Sequence, residues 1–291
     1  MKTGICFAGG GIKGVAHIGA LKAFEEENIK FDYVAGTSSG SIVACLYAIG
    51  YNADEIYEIF KKYANKIKYV DAKNIFKLIF NLIVKRKVQI TGLNSGSKIE
   101  KLVNKECLKK GIRNINEIKA NLLIPAINMC TGEIYIFSSI KNRDTYSDDI
   151  KYINDIDIGK AVMASCSYPG VFSPVEFEGA LLIDGGTREN VPWRELKECG
   201  VDEVVSIVFQ NEIKNKKEIN FIDVLMRGMD ILCHELANYE LEGSDYLIKI
   251  TTKDIHLLDT KKMDYLYKLG YIETKGKMKE IKKRIENAEE L

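Results

Sequence analysis

The chain has 291 residues, room for one large α/β domain or two smaller ones. Hydrophobic residues make up 46% and charged residues 29%, proportions that exclude a disordered, collagen-like or low-complexity chain. Lys and Arg number 42 against 41 Asp and Glu, and the resulting net charge of +1 argues for no nucleic-acid partner and no strongly charged surface as a whole. Seven cysteines form an odd set without a CxxC pair, which reads as reduced, mostly buried thiols. No apolar stretch precedes the first glycines and no later run approaches the roughly 18 apolar residues of a membrane span. The expectation is a cytoplasmic protein without leader or transmembrane segment.

The first apolar run, 4–8, predicts a buried strand that leads through Gly9-Gly10-Gly11-Ile12-Lys13-Gly14 into a helix over 15–27. Three successive glycines let the backbone turn sharply and bring its N–H groups close to a bound group, and the following helix N-terminus favours negative charge. The loop suits an anion. A plain tight turn and a dinucleotide-binding G-x-G-x-x-G remain alternatives, although Asp32 lies ahead of the second strand and not at its end, where a dinucleotide site wants its acid. Lys13 reads as a solvated cation or a substrate-positioning one.

The second strand, 33–35, ends in Gly36-Thr37-Ser38-Ser39-Gly40, ahead of a helix over 42–63. A serine between glycines at a strand-to-helix turn fits a nucleophile elbow, in which small flanks tolerate a strained backbone and the turn lifts the hydroxyl off the sheet. Ser38, Ser39 or Ser41 would also serve as ordinary helix N-caps. Further on, the apolar stretch 74–84 lies between Lys73 and Lys85-Arg86-Lys87. It suits a lid or membrane-docking segment at 73–90, with peripheral membrane contact through 74–87, or a buried helix with a basic last turn.

A helix over 99–109, strands over 122–127 and 134–137 and a helix over 158–165 come next. The strand at 180–183 ends in Asp184-Gly185-Gly186, which holds a carboxylate at the rim of the sheet where a hydroxyl proton can reach it, or else forms a simple turn. A strand over 204–209, a helix over 221–239, a strand over 246–250 and a charged helical extension at 261–291 complete the chain. Strand and helix alternate, as in a layered α/β sheet with helices on both faces. No zinc or calcium-loop spacing occurs, so neither metal nor cofactor is expected.

The glycine loop, the Gly-flanked serine, the segment Ala161 to Pro174 and Asp184-Gly185-Gly186, in this order, resemble the patatin-like phospholipases, a family of Ser/Asp acyl hydrolases. The resemblance covers residues 1 to about 210. It implies a single catalytic domain over 1–291, a three-layer sandwich around a mostly parallel sheet. It also implies Ser38 as nucleophile, Asp184 as general base, and Gly9, Gly10 and Gly11 as the oxyanion loop. Gly14, Gly36, Gly40, Gly185 and Gly186 support these motifs. Many relatives carry Asp before the glycine run, where this chain has Ala8, a position expected to lie outside the loop's hydrogen-bonding face. The implied substrate is a lipid ester, phospholipid or lysophospholipid. Among the three histidines, His17, His234 and His256, the last is the candidate for a Ser-His-Asp alternative, since it follows Asp184 in the order an α/β-hydrolase uses.

Overall fold

The computed structural model describes residues 2–64, 91–141, 147–211, 221–252, 255 and 259–289. The stretch expected to dock on membranes, 74–87, and His256 lie outside the described residues. The strands are β1 (Thr3–Phe7), β2 (Tyr33–Gly36), β3 (Gly92–Asn94), β4 (Asn121–Asn128), β5 (Ile134–Ser138), β6 (Ile150–Ile153), β7 (Gly170–Phe172), β8 (Val175–Phe177), β9 (Ala180–Asp184), β10 (Glu203–Asn211) and β11 (Tyr246–Thr252). The helices are α1 (Val15–Glu26), α2 (Ser39–Ala48), α3 (Ala53–Ala64), α4 (Ser97–Lys109), α5 (Ile158–Ser165), α6 (Trp193–Glu198), α7 (Phe221–Glu240) and α8 (Met263–Glu289).

The main sheet has the order β11-β10-β1-β2-β4-β5-β6, with β9 on β4 and β8 on β9. From β11 to β4 every pairing is parallel, and β5, β8 and β9 introduce the antiparallel ones. Alternation along β1 divides the core. Ile5 and Phe7 face a large cluster built with α1 to α5 and α8, and Cys6 and Ala8 face a smaller one closed by Trp193 and Leu196 of α6. Each large side chain so buried contributes about 1.5–3 kcal/mol. Helices thus cover both faces, as the alternation of elements implies.

The helix expected over 42–63 is two helices. Gly50 adopts φ +87° and stops α2, and Asn52 starts α3 through a reciprocal cap. In that cap the Glu55 N–H donates to Asn52 Oδ1 and the Asn52 N–H donates to Glu55 Oε2, both at 2.9 Å.

Strand β4 brings two other strand ends together. Its first part pairs with β2, up to Ala35 opposite Leu123, and its last part pairs on the same edge with β9, where Asp184 lies opposite Ala126. Because β2 is parallel and β9 antiparallel to β4, their C-terminal ends point at each other across three residues of β4, about 10 Å. Pro125 stands in this gap. Odd-numbered residues of β4 direct their N–H toward the β2 and β9 edge, as Asn121 does to Asp32 and Met129 to Leu181, so the missing donor of proline falls where neither strand requires one.

Candidate active site

Ser38 leaves β2 with φ +53° and ψ −124°, a conformation rare outside glycine, and so turns the chain directly into α2. It is half-buried, between buried Thr37 and Ser39. Its side chain stands at the N-cap yet makes no capping hydrogen bond, so a helix cap does not account for it. The hydroxyl of Ser41 instead donates to the Ser38 carbonyl at 2.6 Å. The turn is tight enough to require glycine on both sides: a Cβ at Gly36 would strike the Gly40 carbonyl, and one at Gly40 would strike the carbonyl of Phe7.

Asp184 closes the opposing strand and is 2% exposed. Its Oδ1 accepts from the Gly186 N–H at 2.8 Å, and Oδ2 is buried with no hydrogen bond to it among the described residues. Burial pushes the carboxyl up to about 7, while the nearby Ser38 hydroxyl and the Gly186 N–H favour its ionised form. A carboxyl poised near neutrality beside a hydroxyl has the properties of a general base.

The last residue of α5 and the segment just after it hold both residues. The Ser38 N–H donates to Ser165 Oγ at 3.0 Å, and the Asp184 N–H donates to the Ser167 carbonyl at 3.0 Å. A second segment, 189–191, holds the loops. The Thr37 hydroxyl donates to the Glu189 carbonyl at 3.0 Å, and Oδ1 of Asn190 accepts from the Gly9 N–H at 3.0 Å. Glu240, at the end of α7, accepts from the N–H groups of Asn190 and Val191, each at 3.1 Å.

The bond to Asn190 narrows the expected oxyanion loop. The Gly9 N–H is committed within the protein, whereas those of Gly10 and Gly11 make no hydrogen bond among the described residues and belong to half-buried positions. Gly10 carries no side chain because the Phe209 ring occupies that space, and Gly11 turns with φ +58° into the 3-10 turn Gly11–Gly14 that runs into α1.

His17 is fully buried in α1 and turned to the Ala8 carbonyl. Among the described residues no group of three or more His, Cys, Asp or Glu side chains could hold a metal ion, and no helix is long and apolar enough to cross a membrane. Cys6, Cys45, Cys107 and Cys166 are buried thiols and Cys130 is exposed. Sequence reasoning singled out neither Ser165 nor Asn190. The available signal was slight: a serine closing an apolar helix, and an asparagine six residues after the acid in a short polar turn.

Three comparisons bear on this geometry. A family model described as Patatin-like phospholipase matches residues 5–197. The uncharacterized protein YqhO of Bacillus subtilis (strain 168) is 30% identical over 204 residues, covering 66% of each chain. Lysophospholipase NTE1 of Candida albicans is 26% identical over 223 residues, which are 77% of this chain and 14% of that much longer protein. VipD from Legionella pneumophila shares the fold, with a TM-score of 0.52 at 15% identity over 94% of this chain and 66% of VipD. The matched region contains the glycine loop, Ser38 and Asp184, and the chain belongs to the patatin-like phospholipase family.

Proposed function

We propose that this chain is a serine acyl hydrolase that cleaves ester bonds of phospholipids or lysophospholipids through Ser38 and Asp184, acting as a single catalytic unit. The observation that carries the reading is the pairing of a strained, half-buried serine with a buried carboxylate whose Oδ2 accepts nothing else. Asp184 takes the proton of the Ser38 hydroxyl as its oxygen attacks the ester carbonyl. The N–H groups of Gly10 and Gly11, with the N-terminus of α2, face the negative charge of the tetrahedral intermediate. Collapse expels the alcohol, which takes the proton from Asp184. Water, deprotonated by the same carboxylate, then releases the fatty acid and restores Ser38.

Seven cysteines suit a reducing, cytoplasmic setting. Contact with a membrane surface through 74–87 rests on the composition of that stretch. In the test, a fluorophosphonate probe labels the wild type at Ser38 and leaves Ser38→Ala unlabelled, and the purified chain hydrolyses members of a phospholipid and lysophospholipid panel. Ser38→Ala and Asp184→Asn each abolish turnover, and the double variant loses little more, since the pair acts as a unit. His234→Ala and His256→Ala retain most activity. A thousandfold loss in folded His256→Ala protein would replace the dyad by a Ser-His-Asp triad.

A further inference from the structure

The peptide group between Ala8 and Gly9 is the last one before the glycine loop leaves the sheet, and side chains hold both of its polar atoms. Its carbonyl oxygen accepts from Nε2 of His17 at 2.8 Å, and its N–H donates to Oδ1 of Asn190 at 3.0 Å. A carbonyl only accepts, so Nε2 carries the ring proton. The ring sits between Phe7 and Phe209, with centroid distances of 5.1 Å and 4.6 Å, and burial lowers its pKa to about 4, so it is neutral. Its Nδ1 is then a buried acceptor, without a partner among the described residues. An apolar side chain would fill the same space without that penalty, so the Nε2–H donor is the property this position uses. Asn190 is held in turn by Glu240, which accepts from its backbone N–H.

We propose that His17 and Asn190 are positioning residues that pin the Ala8–Gly9 peptide from both ends and thereby aim the N–H groups of Gly10 and Gly11 at the oxyanion. The proposal rests on the hydrolase reading of Ser38 and Asp184. Three glycines in a row have many backbone conformations of similar energy, and donors stabilise a transition state only when their direction is fixed beforehand. Fixing the plane of the peptide that enters the loop removes the rotation that would swing the next two amides away. Both side chains act through the Ala8–Gly9 peptide, so the expected effect falls on kcat and not on binding.

The test uses the full chain, a soluble p-nitrophenyl ester and active-site titration with a fluorophosphonate, so that kcat is expressed per reactive Ser38. Asn190→Ala is expected to lower kcat about a hundredfold to a thousandfold, the range for a lost oxyanion donor, with KM within about threefold of the wild type. His17→Leu should fall similarly, and His17→Gln, which keeps an N–H donor of comparable reach, should recover at least about tenfold over His17→Leu. A purely structural role would reduce the titratable fraction and leave kcat per site intact. The proposal is overturned by wild-type kcat per site in Asn190→Ala, by a loss confined to KM, or by equal activity of the two His17 variants. Should the His17 variants fail to fold, Asn190→Ala at its half-buried position decides alone. A wild type that neither labels nor turns over sinks the hydrolase reading and this proposal with it, whereas a labelled, active wild type with an unaffected Asn190→Ala sinks the pin alone.

Discussion

As the proposed base, Asp184 combines two demands that oppose each other. A base must be ionised at working pH, yet burial favours its neutral form and raises its pKa from 3.8 to about 7. The rate should follow the ionised fraction, so kcat/KM rises with pH along an acid limb with a midpoint near 7, read from initial rates on a soluble ester. Stability runs the other way. Between the unfolded pKa of 3.8 and the folded one near 7, the folded state retains a proton that the unfolded state has released, so the wild type loses stability as pH rises through that window. Asp184→Asn removes the buried charge. It should be inactive, and above pH 7 more stable than the wild type by on the order of 2–4 kcal/mol, with the difference vanishing toward pH 4. Thermal melts of both proteins across pH 4–8 check this, and parallel curves would show that Asp184 is not the group that titrates.

At the scale of elements, two glycines in and after α2 make opposite predictions. Gly50 has φ +87° and open space around its missing Cβ, so Gly50→Ala should cost about 1 kcal/mol of backbone strain and leave activity unchanged. Gly40 has an ordinary φ and no space, since its Cβ would meet the Phe7 carbonyl. Gly40→Ala must push α2 off β1 and carry Ser38 with it, so turnover should fall by two orders of magnitude or more even where the protein still melts cooperatively. Denaturant titration and kinetics on both variants separate the two cases. The long strands were legible in the sequence because a buried parallel sheet writes continuous β-branched runs, as at 122–127 and 204–209. β3, β6, β7 and β8 were not, because three or four residues carry little periodicity. The expected helix over 42–63 ran on through Gly50 because Ile49, Tyr51 and Ala53 keep the stretch apolar and the Asn52–Glu55 cap is a local signal of low contrast. Ser38 and Asp184 could be read from glycine-flanked strand ends. The hold of Asn190 on Gly9 spans 181 residues and leaves no mark in local composition.

For the whole molecule, the matched family region ends at 197, while the sheet continues through β10 and β11 and α8 packs along α1. The contact is backbone on backbone: a Cβ on Gly19 would overlap the Tyr267 carbonyl, and one on Gly270 would overlap that of Ala16. At its rim Lys275 and Lys282 pair with Glu27 at 2.6 Å and 2.5 Å. Gly270→Val should cost about 2–3 kcal/mol through overpacking, and replacing both lysines by alanine far less, because exposed ion pairs are screened. Thermal denaturation ranks the two, and the reverse order would make α8 an electrostatic attachment. For the membrane, Phe76→Glu with Phe80→Glu should weaken binding to phospholipid vesicles and hydrolysis of long-chain lipid while sparing a soluble short-chain ester. Equal loss on both substrates would assign 74–87 to the core.

Because β2 and β9 meet head to head along one edge of β4, the distance between Ser38 and Asp184 is measured by that strand, with Ser165 and Ser167 tying the two ends. β4 acts as a ruler on which both ends of the reaction are marked, at Leu123 and Ala126. Apart from β4 and the stretch 165–167, what is threaded between Ser38 and Asp184 can lengthen, shorten or change composition without altering the reading, provided the chain returns to the same edge. Such a layout separates the part of the molecule proposed to fix the chemistry from the part free to choose which lipid arrives, so variation in substrate range should accumulate in the free stretches between Ser38 and Asp184 while the spacing of the two stays the same.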